Sequence, residues 1–153
     1  MATAEPQRRR NDRRSDRPPA FAPAPPELGP PDAQALVRRL EDALGSARRQ
    51  RRPATLVSLT LPASDGPVLE TLAALTRRTV RDTDALWRDG DSGLALLLAD
   101  ADGPTSEPAL ARLRLRLRGR GMRDVMMGRA APPPGMGAEE LLRLARADRR
   151  PVG

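Results

Sequence analysis

The stretch from Arg81 to Asp102, RDTDALWRDGDSGLALLLADAD, constrains this chain more than any other. A short strand, Ala85 to Arg88, runs into a glycine-acid turn at Asp89 to Gly93, and an apolar strand, Leu94 to Leu98, runs out of it. The spacing predicts a β-hairpin whose loop is slightly longer than the two-residue minimum. A hairpin commits two strands to antiparallel pairing, so the remaining elements have to be arranged around a sheet. Trp87, the only tryptophan, is expected to pack on the hairpin rather than serve as a platform for a base.

The chain has 153 residues, enough for one domain of ordinary size plus a tail. Its net charge is +7, and all 27 basic residues are arginine; lysine, isoleucine, tyrosine and histidine are absent. A deficit of residues with AT-rich codons points to a GC-rich genome. Codon usage and solubility therefore account for part of the arginine content, which weakens it as a pointer to nucleic acid. Without cysteine, disulfides and thiolate metal sites are excluded; without histidine, so are catalytic triads and imidazole sites. A metal would need carboxylate oxygens, as Mg²⁺ prefers. No apolar run approaches the ~20 residues of a membrane span. No apolar segment follows the N-terminal arginines, so no secretory signal is expected, and cytoplasm is the expected compartment.

Residues 1–30 form one compositional block. Arg8, Arg9, Arg10, Arg13, Arg14 and Arg17 precede a proline-rich run from Pro18 to Pro31. Such a segment buries too little apolar surface to offset its ordering entropy, so a disordered basic arm with a polyproline-like linker is expected. Asp32 then reads as a helix N-cap, and Leu36, Val37, Leu40 and Leu44 give an amphipathic helix to about Gln50. Thr55 to Leu61 reads as a buried strand ended by Pro62. Ser64 to Pro67 is turn chemistry, and Val68, Leu69, Leu72, Leu75 and Val80 make a second helix. The segment Ala109 to Arg120 is ambiguous. Leu113, Leu115 and Leu117 alternate with arginines at a strand period, whereas Leu110, Leu113 and Leu117 share a helical face. Val125 to Ala130 is a strand, and Ala138 to Asp148 a final helix with Leu141, Leu142 and Ala145 inward.

Three blocks in this order and spacing resemble the GGDEF domain, the bacterial diguanylate cyclase module. They are Leu36 to Leu61, the hairpin Arg81 to Asp102, and Val125 to Ala145, together most of residues 31–148. The resemblance implies a helix at Ala109 to Arg120. It also implies an α/β (α+β) fold: a GGDEF/nucleotide-cyclase-like single sheet packed with helices, in a domain spanning residues 31–150 behind the arm of residues 1–30.

In that family two Mg²⁺ ions hold the triphosphate and assist attack of a ribose hydroxyl on the α-phosphate. Their ligands are acids at the end of the first strand and in the five-residue signature. Here the signature positions hold Gly90, Asp91, Ser92, Gly93 and Leu94, with Ser92 and Gly93 where the family has acids. The first strand ends Ser58, Leu59, Thr60, Leu61, Pro62, again without an acid. Neutral groups do not hold Mg²⁺ beside a polyphosphate. A one-residue slip would make Asp91 the signature acid, but would turn the following strand inside out unless a bulge absorbed it. Only about five residues separate Leu61 from Val68, where the family has a longer segment contacting guanine. These departures imply a degenerate domain with no catalytic residues, no metal site and no cofactor.

Arg81 and Asp84 form an R-x-x-D at the spacing of the family's inhibitory site, which binds cyclic di-GMP. The resemblance implies that Arg81 pairs phosphate and guanine, that Asp84 accepts from the guanine edge, and that Arg88 adds a contact. The same residues also suit a structural turn, with Asp84 capping and Arg81 solvated. The expected function is thus a regulatory or interaction module, with cyclic di-GMP or a protein as partner. The rivals are a nucleic-acid-associated protein using the arm and Arg112, Arg114, Arg116, Arg118 and Arg120, and an active diguanylate cyclase.

Overall fold

Residues Ala54–Thr60, ATLVSLT, are buried along all but the last position, and this strand, β1, takes the centre of a five-stranded sheet. A computed structural model describes residues 28–29 and 32–153 of the chain. The elements run α1 (Ala33–Arg49), β1, α2 (Gly66–Thr79), β2 (Ala85–Asp89), β3 (Gly93–Ala99), α3 (Gly103–Gly119), β4 (Met126–Ala130), α4 (Ala138–Ala147) and β5 (Arg150–Pro151). The sheet order is β2-β3-β1-β4-β5, with every neighbouring pair antiparallel. This is the expected α+β architecture of one sheet packed with helices. The expected arm, residues 1–30, lies outside the described residues except for 28 and 29.

Successive strand residues point to opposite faces, and this sheet has a core on each. On one face Val57, Leu59, Leu94, Leu96 and Met127 pack with Leu69 and Leu72 of α2 and Leu110, Leu113 and Leu117 of α3. On the other, Leu56 and Leu97 pack with Leu36, Leu40 and Leu44 of α1 and Leu141 and Leu142 of α4. Double coverage explains why β1 and β3 are near-continuous apolar runs rather than alternating ones. Trp87 packs at the edge of the second core, as hairpin packing requires.

Local signals set the helix starts. The Asp32 carboxylate accepts from Gln34 N at 3.0 Å, and Asp65 accepts from Val68 N at 3.1 Å. Helix α3 begins at Gly103, six residues before the expected Ala109. Pro108 argues against a helix across it, because proline lacks the N–H and crowds the preceding turn. A capping box overrides that penalty: Asp102 accepts from Thr105 N at 2.8 Å, while Asp102 N donates to Thr105 Oγ1 at 2.8 Å. Pro104 lies in the first turn, where no N–H is needed. Strand β5 was not expected. It is two residues long and contains a proline, yet Val152 beyond it is buried and donates its N–H to Val125 O at 2.9 Å.

Two close approaches fix the layers. A Cβ on Gly128 would run into the carbonyl of Ala145 and the backbone of Asp148 and Arg149, so glycine lets the end of α4 lie directly on β4. Opposite it, Ser58 is buried between Ala95 and Gly128, and its Oγ has no hydrogen-bond partner among the described residues. Leu28, in the span assigned to the arm, packs against the first core, and its carbonyl accepts from Arg88 N at 3.0 Å on the outer edge of β2. No helix among the described residues is long and apolar enough to cross a membrane.

Candidate functional site

The hairpin closes with Asp89 paired to Gly93, leaving Gly90, Asp91 and Ser92 as the turn. Gly90 has φ +72, a left-handed conformation that favours glycine. Pairing then runs unbroken from Asp89↔Gly93 to Ala85↔Leu97, with no bulge to absorb a one-residue slip. Asp91 therefore stays at the exposed tip, and its carbonyl is 3.5 Å from Ser64 Oγ. Leu94 points into the first core. Gly93 is tightly held: a Cβ there would lie 2.7 Å from Asp89 O.

Thr60, Gly93 and Asp89 form one row across β1, β3 and β2, all on the face covered by α4. Two arginines, Arg146 in the last turn of α4 and Arg149 just beyond it, reach this row. Arg146 grips Asp89 with both arms of its fork, Nε to Oδ2 at 3.2 Å and Nη2 to Oδ1 at 2.5 Å. Arg149 donates from Nη1 to Thr60 Oγ1 at 2.7 Å and from Nε to Arg146 O at 2.8 Å. A guanidinium thus sits on Thr60, at the end of a first strand that carries no acid. Such a charge repels a divalent cation. No group of three or more acidic side chains able to hold a metal occurs among the described residues. The donor set does not fit the Mg²⁺ pair that the resemblance implies. Sequence reasoning missed Arg146 and Arg149. Their only sequence signal is a three-residue spacing at the end of the last helix.

At the other end of β2, Asp84 closes the turn between α2 and the hairpin. Its side chain is 3% exposed. One oxygen accepts from Arg81 N at 2.9 Å and the other from Ala99 N at 2.8 Å, tying the turn to the end of β3. The Arg81 side chain is 61% exposed. Its Nη2 donates to Ala99 O at 2.5 Å and lies 3.9 Å from Asp84 Oδ1. Beside this turn is a cleft of about 240 Å³ lined by Arg81, Asp84, Asp100, Thr105 and Arg112. Arg88 does not line it. It lies toward the opposite end of β2, with Nε directed to Gly90 O at 3.4 Å.

The four arginines of α3 do not form one face, and Arg120 caps its end. At 100° per residue, Arg112 and Arg116 lie on one flank of the buried Leu110–Leu113–Leu117 stripe, and Arg114 and Arg118 on the other. Arg114 and Arg129 share the carboxylate of Glu107, at 3.2 and 2.5 Å.

No protein-family model and no curated protein matches the sequence. Solved structures do match. The GGDEF domain of DgcB from Caulobacter crescentus, solved with c-di-GMP, has a TM-score of 0.63 and 17% identity, over 74% of this chain and 80% of that one. The FimX GGDEF domain from Pseudomonas aeruginosa gives 0.60 and 21%, over 75% and 83%. The active GGEEF domain of a diguanylate cyclase from Vibrio cholerae gives 0.61 and 17%, over 74% and 85%. The chain has the GGDEF-like fold.

Proposed function

We propose that this chain is a noncatalytic GGDEF-like module that acts in regulation or interaction. The observation that carries this reading is the pair of arginines on the hairpin row. Two-metal phosphoryl chemistry needs carboxylates facing the triphosphate. Here Thr60 is neutral and bonded by Arg149, Gly93 has no side chain, and Asp89 is held by Arg146. The connection from β1 to α2 is five residues, Leu61 to Asp65, too short for the segment that contacts guanine in the family.

Within this reading, a nucleotide partner is cyclic di-GMP at the Arg81 turn. Arg81 has an exposed fork, and Arg112 brings a second guanidinium to the same cleft. Planar forks suit phosphate and the guanine edge. Asp84 shapes the turn and lines the cleft; Arg88 lies apart. The DgcB GGDEF domain, which shares the fold, was solved with that ligand, and this supports the choice.

Purified protein incubated with GTP and Mg²⁺ tests the main reading. No cyclic di-GMP is expected. Product formation abolished by Asp91→Ala would overturn it and reinstate the slipped register. Calorimetry with cyclic di-GMP at moderate salt tests the ligand, and Arg81→Ala separates this site from general charge attraction.

A further inference from the structure

Four arginines converge on a cleft of about 350 Å³ between α3 and the β4–β5 edge of the sheet. Arg114 and Arg118 come from successive turns of α3, Arg129 from β4 and Arg150 from β5; Met127 is apolar lining, and Asp148 is the one lining acid. The negative charge nearby is largely engaged. Glu107 is shared between Arg114 and Arg129, at 3.2 and 2.5 Å. Asp148 Oδ2 already accepts from Arg129 N at 3.0 Å. Arg118 Nε donates to the backbone carbonyl of Val152 at 2.5 Å, a contact that fixes the side chain without neutralising it. The Arg150 side chain has no hydrogen-bond or ion-pair partner among the described residues. Four guanidiniums therefore face two carboxylates, and positive charge is in excess.

We infer that this cleft binds a small polyphosphate anion. Its volume lies within the roughly 300–1,000 Å³ of small-molecule sites. Guanidinium forks match phosphate oxygens in pairs. The lining holds no aromatic side chain, so a base would find nothing to stack on, and recognition rests on the phosphates. The charge excess favours a diphosphate or longer anion over a monoanion. Glu107 responds to the same field. Its carboxyl is held below the usual range, first by the hydrogen bond from Arg114 and further by the charge of Arg129. The cleft shares no lining residue with the one at Arg81, so the inference stands apart from the cyclic di-GMP reading.

The test is calorimetric titration of the full chain with pyrophosphate, tripolyphosphate and orthophosphate at low and moderate salt. Pyrophosphate should bind more tightly than orthophosphate. The double variant Arg114→Gln/Arg150→Gln should weaken pyrophosphate at least roughly tenfold. It should still fold, because Glu107 keeps Arg129 and Arg150 has no side-chain partner to lose among the described residues; a melt checks this. The control Arg38→Gln/Arg78→Gln removes equal charge elsewhere and should leave affinity unchanged, as should Arg81→Ala. Absence of pyrophosphate binding at millimolar ligand, or equal weakening by the control, would overturn the inference. A DNA duplex bound more tightly than pyrophosphate and released by Arg114→Gln/Arg150→Gln would overturn it too, assigning the cleft to nucleic acid.

Discussion

Arg81 and Asp84 stand three residues apart, and their surroundings give them opposite roles. Asp84 is buried and accepts two backbone N–H groups, from Arg81 and Ala99. Truncation leaves both donors without that acceptor. We predict that Asp84→Ala destabilises the fold by about 1–3 kcal/mol, the order expected for unsatisfied polar groups near the interior. Arg81→Ala removes a mostly exposed side chain and should stay within about 0.5 kcal/mol of the parent. For cyclic di-GMP the order reverses: Arg81→Ala should lower affinity by roughly tenfold or more without lowering stability. Urea unfolding and calorimetry on the two variants separate the roles. Equal stability losses, or an Asp84→Ala protein as stable as the parent, would remove the structural role. The two R-x-x-D residues are legible in the sequence as a pair. A turn with Asp84 capping and Arg81 solvated is legible too, beside the binding reading; the bond from Ala99 N is not, because Ala99 reaches Asp84 only through the hairpin.

Helix α4 lies against β4 through Gly128 and over the small residues Ser58 and Ala95, and this contact delivers Arg146 and Arg149 to the hairpin row. Gly128→Ala would push a methyl into the Ala145 carbonyl, and displacement of α4 is expected to cost about 1–3 kcal/mol. Ser58→Ala should be neutral or stabilising by up to about 1 kcal/mol, since it removes a buried hydroxyl with no partner among the described residues. Both are read from urea midpoints, and a stabilised Gly128→Ala would refute the packing account. At the start of α3, hydrogen bonds from Thr105 hold the Asp102 carboxyl below its ordinary range. The folded pKa is then below the unfolded one, so the stabilisation is present at neutral pH and is lost as pH falls through the folded value. The stability gap between parent and Asp102→Ala should therefore close on acidification; a gap constant down to low pH would rule out the charged cap. These elements mark how far sequence reading goes. Apolar periodicity identifies α1, β1, α2, the hairpin, β4 and α4. It misses the start of α3, where the Asp102–Thr105 box outweighs Pro108, and it misses β5, too short and proline-bearing to have a period. The Arg149–Thr60 and Arg146–Asp89 bonds span 89 and 57 positions and arise only from the strand order.

The single sheet, covered by helix pairs on both faces, leaves β2 as one outer edge, and Leu28 partly covers it. An exposed strand edge offers unpaired N–H and C=O groups to another chain. The carbonyl of Leu28 takes up Arg88 N at 3.0 Å, and its side chain packs against the first core. The functional domain boundary proposed here therefore falls before Leu28 rather than at residue 31. The composition of residues 1–26 offers arginine, proline and alanine but no apolar periodicity, so their removal should not alter the core. Two truncations distinguish the contributions. A chain beginning at Glu27 should unfold at the same denaturant concentration as the full chain. A chain beginning at Pro31 loses the Leu28 side chain and the partner of Arg88 N together. Partial burial of one leucine and one net hydrogen bond are each worth on the order of 1 kcal/mol, so the shorter chain should lose roughly 1–3 kcal/mol. It should also associate more readily at high concentration, because Arg88 N is then free on the edge of β2. Identical midpoints for the two truncations would show that Leu28 adds nothing to the domain. A midpoint already lowered in the Glu27 chain would show that the arginine- and proline-rich block itself packs on the sheet.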